Sequence, residues 1–204
     1  MPVLILDPYL EQRIRAERVD PSVSQYDEVW EGVLVVAPLP NNEHQRIASR
    51  ITSAFSSLVD WSRGDQALPG ANVSDREGDW QSNYREPDVA VYLATNPAKD
   101  CNTHWVGGPD LAVEIVSPGE DPRQKLEFYA KVNTRELLIV DRDPWMLELY
   151  QLQSGKLMLV GKSKVATAIA LTSRVLPIEF QLQPSDPRPA IVITHTVTKQ
   201  TWKA

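Results

Sequence analysis

The sequence has little cysteine, no long apolar run and no excess of positive charge, and each lack narrows what the protein can be. Its lone thiol, Cys101, cannot close an intramolecular disulfide, so nothing calls for an oxidising compartment and the cytoplasm is the expected location. The opening, MPVLILDPYLEQ, has no basic n-region and only a short apolar stretch, and no later run approaches the roughly 18 residues of a membrane helix. Neither a signal peptide nor a membrane partner is expected. With 27 acidic against 21 basic residues the formal charge is −6, the wrong sign for gripping nucleic acid through the overall field. A nucleic-acid contact would need a local basic patch.

Several chemical signatures are missing too. There is no GxSxG, no paired CxxC and no nucleotide fingerprint, and Gly107-Gly108 reads as a turn. His44, His104 and His195 are far apart and lack the HExxH spacing of a zinc site. His104 and His195 are expected at the surface or a helix end, and His44, near the start of the strongest helix, is the one to watch.

What is present describes one domain spanning residues 1–204, long enough and, at 42% hydrophobic, apolar enough for a sizeable core. No solenoid-length repeat or low-complexity tract interrupts it. A short helix is expected over residues 8–19, opening at Pro8, and a strand or hairpin over Asp27 to Ala37, where GVLVVA is stopped by Pro38. The clearest helix covers residues 43–59, with Ile47, Ile51, Ala54, Phe55, Leu58 and Val59 on one face and Asn42 as its cap. Residues 62–86 read as polar connections with a short strand near Ala71 to Val73. Strands follow at Val89–Leu93 and Leu111–Val116, expected to be neighbours. Asp121 and Pro122 begin a helix through about Asn133, and Leu137–Val140 is a further strand. A β-hairpin turns at Ser154-Gly155. The last forty residues alternate like strands, but their attachment is expected to be loose.

Within LAVEIV, Glu114 is the single charge in an otherwise apolar run. A carboxylate there needs a cation, a metal, several hydrogen bonds or a proton, so pairing with an arginine such as Arg85 and metal binding both stand open. Asp110 shares the strand, but four residues at about 3.3 Å each separate the two by roughly 13 Å, too far to share one ion. Asp88, on the preceding strand, could meet Glu114 across a strand spacing of about 4.8 Å. Such hard oxygen donors suit Mg²⁺ or Mn²⁺. Lys125, eleven residues after Glu114, could orient an attacking water or meet charge on a phosphoryl group, although alone it reads as a solvated helix lysine. Glu28, before GVLVV, is a possible third carboxylate. The six tryptophans are not spaced as a stacking platform and read as core or rim residues.

Taken in order, YDEVWEGVLVVAP, EHQRI, EPDVAV, GPDLAVEIVSP and DPRQKLEFYA resemble the Uma-two family of restriction endonuclease-like proteins over residues 24–160. The resemblance implies a PD-(D/E)XK core, an α/β (α+β) mixed sheet with flanking helices, to which the hairpin near Ser154 is an addition. It implies that Asp88 and Glu114 are the metal-binding pair and that Glu28 matches an early family glutamate. Val116 stands where many nucleases of this superfamily keep a lysine, and the resemblance implies that Lys125 takes that role.

The expected function is therefore a Mg²⁺- or Mn²⁺-dependent endonuclease acting on DNA. Asp88, Glu114 and the Ile115 carbonyl would hold the metal, Lys125 would serve the reacting phosphate and Glu28 would support them. A homodimer is a possible assembly. One alternative is a nuclease fold that no longer cuts and serves as a binding or assembly module. Another is a metal-free hydrolase with an acid-base pair of carboxylates, which predicts one raised carboxyl pKa.

Overall fold

The structure, a computed structural model, describes residues 3–17, 27–37 and 39–204. A six-stranded sheet runs in the order Lys156–Ser163, Trp145–Gln153, Glu136–Arg142, Leu111–Ile115, Val89–Tyr92, Gln66–Pro69. The pair Leu111–Ile115 and Glu136–Arg142 is parallel, and the remaining pairs are antiparallel. A parallel pair requires a crossover, supplied here by a 3-10 turn, Pro122–Lys125, and a short helix, Leu126–Lys131. This connection lays Lys125 and Tyr129 over the strand that carries Glu114.

Both faces of the sheet are covered, which is why its central strands are apolar without alternation. Leu111, Val113 and Ile115 face the long helix Asn42–Ser56, whose Ile47, Ile51 and Phe55 are fully buried. Burying each such side chain contributes on the order of 1.5–3 kcal/mol. Ala112, Leu137 and Ile139 point the other way, against Phe128 and Tyr129 of the crossover helix.

A seven-stranded sheet flanks this core and includes the hairpin Glu28–Trp30 and Val33–Val36, paired through Glu28–Trp30 to Tyr84–Arg85. That pairing places Glu28 beside the crossover. The expected first helix forms over Pro8–Glu17, and the expected neighbours Val89–Tyr92 and Leu111–Ile115 pair antiparallel. The expected position of Pro38 lies outside the described residues.

Four expectations need correction. The long helix begins one residue early, because Asn41 rather than Asn42 accepts from the His44 N–H (2.9 Å), and it ends at Ser56, with Leu58 and Val59 packing from the turn beyond. The helix after Asp121 is broken into the 3-10 and α segments, and Asn133, at φ 64°, lies in the left-handed region just beyond the helix end. Residues 62–86 are not only connections, since Gln66–Pro69 is an edge strand of the central sheet. Finally, the C-terminal residues are not loosely attached. Leu171–Thr172, Ile178–Gln183, Ala190–His195 and Thr201–Lys203 form a sheet whose Phe180, Leu182, Ile191 and Ile193 are fully buried in the same cluster as the long helix. Phe180 meets Phe55 edge-on at 6.2 Å, and Glu136 accepts from Ser173 Oγ and from the Arg174 N–H. Among the described residues no helix is long and apolar enough to cross a membrane.

Candidate functional site

Asp88 immediately precedes the Val89–Tyr92 strand. The ladder with the neighbouring strand ends at Val89 opposite Val113, so one further step sets Asp88 across from Glu114. The two strands part there, and the Asp88 side chain fills the gap by accepting from the Ile115 N–H at 2.6 Å. Its other oxygen lies 2.7 Å from His44 Nε2, and His44 Nδ1 is 3.3 Å from Ser117 Oγ. The first turn of the long helix thus holds this carboxylate in place. The Gly70 N–H donates to the Asp88 carbonyl, tying the edge strand to the same point.

Glu114 is buried and fully engaged. Lys125 Nζ lies 3.1 and 3.0 Å from its two oxygens, and Tyr129 donates its hydroxyl to Oε1 at 2.5 Å. The same ammonium donates to Glu28 Oε1 at 2.8 Å. Glu28 also accepts from the Glu86 N–H and from the Trp30 indole, each at 2.8 Å. Arg85, the expected partner of Glu114 in a purely structural role, is instead clamped between the Trp30 and Phe128 rings at 4.5 and 4.3 Å. It donates to the Val29 carbonyl.

One cavity of about 570 Å³ is lined by Glu28, Glu86, Asp88, Glu114, Lys125 and Ile115 among others. The lining holds more negative charge than positive. Burial pushes Glu114 up to about 8 against the pull of Lys125, with Glu28 and Asp88 raising it further. Burial also raises Glu86 to about 7, and Glu28 and Asp88 add to the effect. Burial alone would lower Lys125, yet Glu114 and Glu28 hold it above its ordinary value, so it stays charged. The negative charge that Lys125 does not balance therefore bears on Glu86 and Glu114.

Asp88, Glu114, Lys125, Glu28 and Ile115 are all brought to this cavity. Asp110 is not. It is buried elsewhere, accepting from the Leu93 N–H, Asn96 and Arg135, as a residue that fastens the start of its strand. His104, expected at the surface, is buried and stacked on Trp80 at 4.7 Å. Glu86 and Tyr129 had no sequence signal as site residues. Glu86 stands two before Asp88, with its Oε1 against Gly70, at φ +73°, where an added Cβ would come within 2.9 Å of it.

As they stand, no three His, Cys, Asp or Glu among the described residues are arranged to hold a metal ion. The chemistry of the donors nonetheless fits a hard divalent cation, because buried carboxylates outnumber the one ammonium among them.

Residues 11–185 match the Uma2 family model, described as "Putative restriction endonuclease". A crystal structure of "a putative nuclease belonging to DUF820" from Anabaena variabilis superposes with a TM-score of 0.52 at 22% identity. The match covers 65% of this chain and 75% of that one, and it speaks for the fold. No curated protein matches.

Proposed function

Because the chain belongs to the Uma2 family, we propose that it is a divalent-metal-dependent endonuclease that hydrolyses phosphodiester bonds in DNA. The observation that carries this reading is the position of Asp88 one step beyond the last paired residues of two strands, beside Glu114, in a cavity where carboxylates exceed the one ammonium beside them. Asp88, Glu114 and the Ile115 carbonyl would hold Mg²⁺ or Mn²⁺. When bound, the ion would neutralise charge growing on the phosphoryl oxygens and lower the pKa of a coordinated water.

The chain's own groups do the rest. Lys125, oriented by Glu28 and Glu114, presents a positive charge to the phosphoryl group as it becomes more negative. Glu28 acts through Lys125, since its Oε1 is held by that ammonium and the Glu86 N–H and its Oε2 by Trp30. His44 fixes the Asp88 carboxylate in one orientation, and Tyr129 does the same for Glu114. Glu86 lines the same cavity, two residues before Asp88. Cutting both strands of a duplex requires two such sites, which a homodimer would supply.

A second reading, a nuclease fold that binds without cutting, draws on the engagement of both Glu114 oxygens by Lys125 and Tyr129. Conversion of supercoiled plasmid separates the two. The endonuclease reading expects nicked or linear product with Mg²⁺ or Mn²⁺, none in chelator, and loss of cleavage in Asp88→Ala. Full activity in that variant would remove Asp88 from the mechanism, and an intact plasmid under every condition would favour the binding module.

A further inference from the structure

The net charge of −6 hides one strongly basic face. Glu43, Arg46 and Arg50 follow one another at i, i+3 and i+7 along one ridge of the long helix. Arg46 and Arg50 are exposed, and neither makes an ion pair among the described residues. Arg142 and Arg188 reach the same ridge from other parts of the chain, at 3.2 and 3.3 Å from the two oxygens of Glu43. Two guanidinium groups thus share one carboxylate, and two more stand on the helix beside it. Burial lowers Arg188 and Glu43 opposes this, while Arg50, Arg46 and Arg142 push it lower still, as expected of cations crowded on one face.

The ridge adjoins the carboxylate cavity. Gln45 and Ser49 line both that cavity and the depression bordered by Arg46 and Arg50. The two exposed arginines stand one helical turn apart, about 6 Å along the axis, each with a planar fork suited to a phosphate. An acidic protein that handles a polyanion needs such a patch beside its reacting groups, where it offsets the repulsion from the carboxylates.

We propose that Arg46 and Arg50, with the charges of Arg142 and Arg188 behind them, form a phosphate-binding surface that holds the backbone of a DNA strand beside the carboxylate site. The proposal deepens the endonuclease reading and rests on it for the identity of the polymer. Arg142 and Arg188 are anchored through Glu43, so Arg46 and Arg50 are the two free to close on phosphates.

The test is binding of a fluorescent DNA duplex to the intact chain in chelator, followed by anisotropy over a series of salt concentrations. Wild type is compared with Arg46→Gln/Arg50→Gln and with Arg46→Lys/Arg50→Lys, and thermal melting serves as the folding control. Each lost phosphate contact removes about 0.9 from the slope of log affinity against log salt, so the glutamine pair is expected to show a slope shallower by about 2. The lysine pair, which keeps both charges, is expected to retain most of the slope. Equal slopes and affinities for wild type and the glutamine pair would overturn the proposal, as would a wild type that does not bind DNA. A wild type that binds with the full slope yet never cuts would refute the endonuclease reading and leave the surface standing. One that cuts while the glutamine pair keeps its slope would refute the surface alone.

Discussion

Replacing Glu86 with glutamine should stabilise the metal-free protein, and only above a defined pH. In the folded chain burial raises this carboxyl from 4.5 to about 7, and the Glu28 and Asp88 charges raise it further than Lys125 lowers it. A folded-state pKa above the unfolded one means that the folded protein binds the proton more tightly. The group's favourable contribution is thus fully present below about pH 4.5 and is lost as pH rises through about 7. Each pKa unit corresponds to about 1.4 kcal/mol, so the ionised side chain costs the fold on the order of 3 kcal/mol at pH 8. Glutamine keeps the shape without the charge. In chelator, Glu86→Gln should match wild type near pH 4 and exceed it by up to about 3 kcal/mol at pH 8. For a chain of this size that is roughly 6–12 °C in Tm. Thermal melts of both proteins across this pH range, read by circular dichroism, measure the difference directly. A gain that is the same at both ends of the range, or a loss at pH 8, would refute the reasoning.

Two further substitutions address the fold and the support of the site. Phe180→Ala empties a fully buried ring that meets Phe55, and it should cost about 3–5 kcal/mol in urea unfolding. A loss below about 1 kcal/mol would mean that the C-terminal sheet does not share the core. Tyr129→Phe removes the hydroxyl donated to the buried Glu114 and should destabilise the protein by about 1–3 kcal/mol, with a neutral or stabilising result counting against that bond.

The central carboxylates were legible because burial and charge conflict within a short segment. Glu114 is the one ionisable residue in an apolar run, and a strand spacing left Asp88, not Asp110, as its neighbour. What the chain's order could not show is how far the crossover carries Lys125 toward Glu28, 97 residues away in sequence, or that Tyr129 turns its hydroxyl to Glu114. Glu86 was hidden for a similar reason, because the groups it meets, Gly70 and Glu28, come from other parts of the chain. The C-terminal strands showed their period of two, yet the helix they pack against lies more than a hundred residues earlier. Local pattern gives an element its buried face but not the element that covers it. The helix caps slipped by a residue because Asn41 and Asn42 are equally able to cap, and only the His44 N–H decides between them.

Calorimetric titration of the purified protein with Mn²⁺ or Mg²⁺, alongside Asp88→Ala and Glu114→Ala, decides whether these two carboxylates hold a metal. A saturable site is expected in the wild type and is abolished by both substitutions, while each variant still melts cooperatively. No binding by the wild type, or binding undiminished in the two variants, would contradict it.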